Sequence, residues 1–190
     1  MRVMHVTASF PPYGSGGTEF YVSDLIREQS RRHKVSVVYR RRHSSDLELH
    51  SRQETGYAVY ELNFARGKPE AFAQKGRELF SKVLDKEKPD IIHFHSFLEL
   101  PRSLIDAANA AGIPSVYTPH DLSLLCPSIS LVRDTNVLCS GHVSGLDCFD
   151  CHTSHQGLSV VEKAKRLALL NTYRGYQKKG VEGLQKLDAV

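Results

Sequence analysis

The chain has 190 residues, a length that suits one domain with a sizeable core. With 41% hydrophobic and 24% charged residues, 13 Gly and 8 Pro, it is excluded from the disordered and collagen-like classes. No run approaches the roughly 18 apolar residues of a membrane-spanning helix, and a net charge of +4 does not by itself demand a polyanionic partner.

The first element reads as a strand over Arg2 to Thr7, which disfavours export as an expectation. A Pro/Gly-rich turn from Phe10 to Gly17 follows, then an apolar-periodic helix from about Thr18 to Ser30. The β-branched run Lys34 to Tyr39 predicts a second strand, and Tyr57 to Leu62 a third after a polar loop. Helical spacing over Pro69 to Lys86 precedes a strand at Ile91 to His95. A second helix, Leu100 to Ala111, stops at Gly112 and precedes a strand at Pro114 to Thr118. Strands alternating with helices predict an α/β fold with a doubly wound, mainly parallel sheet and right-handed crossovers. Residues 1–190 read as a single domain. Within it, 119–156 reads as a long Cys-rich irregular insertion before a carboxyl-terminal helix that runs into the start of another strand.

Ligands on such sheets bind outside the carboxyl ends of the strands. Residues 8–17, 96–98 and the segment after Thr118 therefore belong to one rim. The turn Pro11-Pro12-Tyr13-Gly14-Ser15-Gly16-Gly17 lies between strand and helix, where missing Cβ atoms let a ligand approach and free N–H groups face an anion such as a diphosphate. A turn that needs positive φ is the plain alternative. The sequence is neither a P-loop nor a full G-x-G-x-x-G, and Tyr39-Arg40 stands where NAD sites carry an acid. His93 and His95 alternate on one strand and share a face, with His95 nearer the rim. His120 follows the next strand. Neutral imidazoles there can bond sugar hydroxyls or move a proton; as a trio they can also ligate a metal.

Two clusters complete the inventory. Arg27, Arg31, Arg32, Lys34, Arg40, Arg41 and Arg42 form a basic strip that suits phosphate, an anionic membrane surface or plain solvation. No zinc-finger, RNP or basic-zipper pattern accompanies it, so nucleic acid is not an expected partner. Cys126, Cys139, Cys148 and Cys151 fall close together and offer four soft ligands to a structural zinc; disulfides and free thiols remain alternatives, and His142, His152 or His155 can replace a cysteine. Cys148-Phe149-Asp150-Cys151 does not follow a strand and open a helix, which weakens a thioredoxin-like reading.

Three ordered motifs carry a resemblance: Phe10-Pro11-Pro12-Tyr13-Gly14-Ser15-Gly16-Gly17-Thr18-Glu19, Pro89-Asp90-Ile91-Ile92-His93-Phe94-His95, and Thr118-Pro119-His120-Asp121 with the following Leu124-Leu125-Cys126-Pro127. Together they resemble the amino-terminal lobe of the family 4 glycosyltransferases. These are GT-B enzymes with two Rossmann-like lobes that move a sugar from a nucleotide-sugar to an acceptor with retention of configuration. The resemblance implies an acceptor-side lobe in which Gly16 and Gly17 present N–H groups to the donor diphosphate and His120 contacts the donor sugar as the catalytic residue. Glu19 and His95 would line the acceptor pocket, and no catalytic metal is expected. The second, nucleotide-binding lobe is not in the sequence, so the chain alone is expected to be nearly inactive, with the missing lobe supplied in cis or trans. Glu70-x7-Glu78 matches that lobe's Glu spacing only by chance. A glycan or lipid-linked acceptor and a cytoplasmic location, peripheral at the inner face of the membrane, follow as expectations. The competing expectation is a non-catalytic, metal-braced scaffold that docks a partner or an anionic membrane.

Overall fold

The computed structural model describes residues 1–41, 49–64, 69–133, 137–140, 144–167 and 170–190, the side chains at 171 and 172 excepted. Arg42 of the basic strip and His142 of the alternative ligand set lie outside the described residues. The chain divides into two compact units, Met1–His120 with Lys186–Val190, and Asp121–Gln185.

The first unit is a six-stranded sheet with helices. Its strands are β1 (Arg2–Thr7), β2 (Lys34–Arg40), β3 (Leu49–Glu54), β4 (Tyr57–Leu62), β5 (Ile91–Phe94) and β6 (Ser115–Tyr117), in the order β3-β4-β2-β1-β5-β6. Every pairing is parallel except β3 with β4. Helix α1 (Gly17–Gln29) lays Val22 and Ile26 on Phe10, Val35, Val37, Tyr39 and Val59. Helix α2 (Pro69–Glu87) meets the other face, since Tyr60, the neighbour of Val59 and therefore opposite in direction, donates its hydroxyl to Glu87 at 2.5 Å. Helix α3 (Ser103–Ala110) stops at Gly112, whose φ of +65° is the left-handed conformation that ends helices. The doubly wound, mainly parallel sheet is thus the predicted one.

Strand β3 is an addition, because residues 40–56 read as a polar loop. Leu49-His50-Ser51-Arg52-Gln53-Glu54 lacks apolar alternation, as an edge strand with solvated flanks can. A two-residue hairpin, Thr55-Gly56 with Gly56 at φ +90°, joins it to β4.

The second unit corrects the expectation of an irregular stretch ending in one helix. Residues 121–133 and 137–140 are irregular apart from a Val132–Leu138 bridge, but α4 (Gly145–His155) is a regular helix. Its capping box has Ser144 accepting from the Asp147 N–H and the Asp147 carboxylate accepting from the Ser144 N–H. Among the described residues three short helices follow: α5 (Val160–Lys165), opened by a second box at Ser159 and Glu162, α6 (Leu170–Tyr173) and α7 (Tyr176–Leu184). The run beyond α7 does enter a strand-like pairing, with Ala189 bridging Val116 in parallel.

Candidate functional site

On either side of β1 the chain winds in opposite directions, first to β2 and later to β5, so the crevice at the carboxyl ends of β1 and β5 is the topological switch point where such sheets bind ligands. The turn after β1 and residues 95–98 after β5 both border it.

Gly16 is the N-cap of α1, with φ −85° and ψ 176°, and no side chain caps the helix. The first-turn N–H groups therefore have no side-chain acceptor, and they carry the positive end of the helix dipole. None of Gly14, Gly16 and Gly17 is among the glycines of positive φ, so the turn does not need glycine for backbone angle. A Cβ on Gly14 would meet Ser9 Oγ at 2.5 Å, whereas one on Gly17 would meet nothing within 4 Å. Packing thus explains Gly14 and leaves Gly17 facing open space. Glu19, in the first turn, accepts a hydrogen bond from the Ser9 hydroxyl, which holds its carboxylate over the turn.

The histidines form a chain. Parallel register sets His5 beside His93, and the period of two brings the His93 and His95 rings to 4.0 Å centroid separation. His5 Nε2 lies 2.9 Å from Gln29 Oε1 on α1; His5 Nδ1 lies 2.9 Å from His95 Nε2; His95 Nδ1 lies 3.4 Å from His120 Nε2. With Gln29 Oε1 as acceptor the direction is fixed. His5 donates to Gln29, His95 to His5 and His120 to His95, leaving His120 Nδ1 with a lone pair. Both interior rings are fully buried. Burial pushes the His5 imidazole down to about 4, and burial with the neighbouring imidazoles takes His95 to about 2, so both are neutral. His93 is lowered too, by burial and by His120, and its Nε2 sits 2.8 Å from Thr118 Oγ1. His120 is half-buried and flanked by the Tyr21 ring at 4.9 Å.

The sequence therefore placed His93, His95 and His120 together, as the structure does, but His95 sits beneath the crevice and has no exposed surface with which to line an acceptor pocket. Tyr21, His5 and Gln29 were missed. A polar residue inside a predicted central strand is the available signal for His5, and the i, i+8 spacing of Tyr21 and Gln29 places both on one helix face. Among the described residues, the trio whose potential ligand atoms all lie within 4.8 Å is His5, His93 and His95, not the trio with His120. Both nitrogens of His5 and of His95 are engaged in the chain, so the cluster is satisfied as a hydrogen-bond relay.

Much of the basic strip is occupied internally. Arg40 is buried, bonds the Phe64 carbonyl oxygen at 2.8 Å and Glu99 at 3.1 Å, and lies over the Phe64 and Phe72 rings. Arg41 pairs with Glu61 at 3.6 Å and covers Tyr13; Lys34 pairs with Glu87 at 2.9 Å. Arg40 is therefore not presented to an anionic surface. Glu78 pairs with Lys75 and Lys82 along the exposed side of α2.

In the second unit Cys126, Cys139, Cys148 and Cys151 border one small cavity, none in a disulfide. Cys148 and Cys151 lie inside α4, correcting the view that this C-x-x-C is not helical; among the described residues no strand leads directly into that helix. Burial and the other sulfurs push the Cys148 thiol up to about 11, the opposite of an activated redox nucleophile.

A mostly parallel, doubly wound sheet with a Gly-rich strand-to-helix turn and imidazoles at its switch point defines a Rossmann-like α/β domain. The particular family follows from residues 15–140, which match the profile of Glycosyltransferase Family 4, and the chain belongs to that family. A search of curated proteins returns no match. Among solved structures, UDP-GlcNAc 2-epimerase from Methanocaldococcus jannaschii is 15% identical with a TM-score of 0.47, covering 100% of this chain and 45% of its own. The UDP-forming α,α-trehalose-phosphate synthase from Burkholderia vietnamiensis is 13% identical with a TM-score of 0.47, covering 64% and 33%. Sucrose-phosphate synthase from Thermosynechococcus elongatus is 14% identical with a TM-score of 0.45, covering 66% and 34%. The chain spans less than half the length of each of them. No helix among the described residues is long and apolar enough to cross a membrane.

Proposed function

We propose that the chain is the acceptor-side lobe of a retaining glycosyltransferase that moves a sugar from a nucleotide-sugar to a glycan or glycolipid acceptor, and that it needs a nucleotide-binding lobe to turn over. The observation that carries the reading is that the family 4 match spans both the Gly16-Gly17 turn and His120, which border the carboxyl ends of the sheet. Departure of a nucleoside diphosphate builds negative charge on the leaving oxygen. The uncapped N–H groups of the first turn of α1 are preorganised donors for it, and the helix dipole adds to them. The space beside Gly17 lets a phosphate approach the backbone.

His120 offers the Nδ1 lone pair to a hydroxyl of the donor sugar. Its ring is held by Tyr21 on one side and by the relay through His95, His5 and Gln29 on the other. Glu19 takes an acceptor hydroxyl in this reading, supported by its position beside the turn, while His95 serves as a positioning residue under His120. In the full-length gene product, His120→Ala is expected to lower kcat by about 100-fold, the scale of one lost contact to the reacting centre, with a small change in donor KM. An unchanged kcat would remove His120 from the reaction. Sugar transfer by residues 1–190 alone at about 1 per second or faster, an ordinary enzymatic rate, would show that no second lobe is needed.

A further inference from the structure

We propose that Cys126, Cys139, Cys148 and Cys151 form a four-thiolate structural zinc site that holds the 121–185 unit together. The inference does not depend on the transfer reading, since every residue it uses lies within that unit.

The first observation is convergence. The four cysteines border one cavity of about 20 Å³, the size of one water or one ion, walled by Leu125, Leu131 and Val132. They arrive from three separately braced pieces of backbone. Cys126 closes a turn, its N–H bonding the Leu122 carbonyl oxygen at 2.7 Å and its own carbonyl accepting from Ile129 at 3.0 Å. Cys139 follows the Val132–Leu138 bridge, with its N–H on the Leu131 carbonyl at 2.8 Å. Cys148 and Cys151 are three residues apart on α4 and so share one helix face, on a helix whose start is fixed by its capping box. Gln177 Nε2 on α7 lies 3.8 Å from Cys139 Sγ, an outer hydrogen bond of the kind that orients metal ligands.

The second observation is the weakness of the unit without a staple. Among its described residues only Leu124 and Phe149 are buried hydrophobics, while Ile129, Val137, Leu138, Leu146, Val160 and Val161 are all exposed. A unit with so small a core depends on cross-links or a metal to remain folded. Four soft sulfurs select zinc over the hard cations. Asp147, the carboxylate at the cavity wall, is held instead by the Ser144 hydroxyl and N–H.

Zinc–sulfur bonds of about 2.3 Å in a tetrahedron put the sulfurs about 3.8 Å apart. Among the described residues no three of these sulfurs lie within 4.8 Å of one another, so uptake draws the side chains inward around the cavity. Each thiol gives up its proton as its sulfur bonds the metal. One Zn²⁺ therefore replaces four protons, and affinity falls steeply as pH falls.

The test is elemental analysis of the untagged chain, purified without chelator. About one zinc per chain is expected, retained in His93→Gln and lost in the Cys148→Ser/Cys151→Ser double variant. Zinc retained in the double variant, or lost in His93→Gln, would overturn the proposal in favour of the histidine cluster. Should the double variant not fold, the wild-type chain still decides. Cobalt exchanged for zinc should give thiolate-to-metal charge-transfer absorption, and four cysteines should resist alkylation until a chelator is added. A folded, metal-free chain with four freely alkylated thiols, or with a disulfide in its intact mass, would sink it.

Discussion

His5 and His95 are imidazoles placed where charge is not tolerated, and that has a measurable consequence. In the unfolded chain a histidine titrates near 6.5, while in the fold His5 titrates near 4 because burial penalises the cation. Between those values the unfolded state binds more protons, so stability rises with pH through the window. It is complete above about 6.5 and lost on acidification, by up to about 1.4 kcal/mol per pH unit for each such group. His93 and His120 face the same rings, so protonating any one of them also repels its neighbours. The lowered carboxyls of Asp90, Asp147 and Glu162 act below their ordinary values near 4 and leave the upper part of the window to the histidines. Urea midpoints should therefore drop between pH 6.5 and 5, and His5→Asn should flatten that slope; a flat wild-type profile would contradict neutral burial. Sequence spacing sufficed to place His93 and His95 on one face, but the partners of His95 depend on strand register and on which helix face turns inward.

At the scale of elements, turn and cap chemistry was partly legible. Gly112 ended α3 as expected, Ser144-x-x-Asp147 was a capping signal inside the 119–156 stretch expected to be irregular, and Ser159-x-x-Glu162 opens a helix just beyond it, where helical spacing was expected. Helix α4 hides behind its cysteines and histidines, which supply no apolar period. Strand β3 hides for a related reason, since an edge strand bonded through Arg52 to Tyr39 and to the Pro11 carbonyl oxygen needs no hydrophobic face. Helix α7 offers a sharper test. Alanine is the better helix former by about 1 kcal/mol, yet a Cβ on Gly180 would collide with the Leu124 carbonyl oxygen. Gly180→Ala is expected to destabilise the 121–185 unit by about 1–3 kcal/mol, the cost of overpacking. Thermal melts followed by circular dichroism measure it, and a raised Tm would show that α7 does not pack on Leu124.

At the scale of the whole molecule, the chain returns to its first unit at the end. Asp188 Oδ2 accepts from the Ser115 N–H at 2.8 Å, the Asp188 N–H bonds the Ser115 carbonyl, and Ala189 accepts from Tyr117 at 3.0 Å. Lys186 adds an ion pair to Asp106 at 2.6 Å. Residues 186–190 thus cover the edge of β6 and satisfy backbone groups that would otherwise face water. Deleting them should cost roughly 1–3 kcal/mol, a few net hydrogen bonds, and amide exchange should speed up first in β6. Unchanged exchange there would mean that the return pairing contributes nothing.

What the sequence alone determined was local or periodic: the strands and helices of the first unit other than β3, the parallel winding, the glycine turn at the start of α1, and the three motifs that mark family 4. Tertiary structure alone decided which side chains meet. Register across β1 and β5 joined His5 to His95, the packing of α1 brought Gln29 and Tyr21 to them, and burial turned Arg40 from a surface cation into an internal ion pair. The division follows from range. Dihedral preferences and hydrophobic periods are written over a few neighbouring residues, whereas a contact between residues 90 apart exists only once the sheet has fixed their distance.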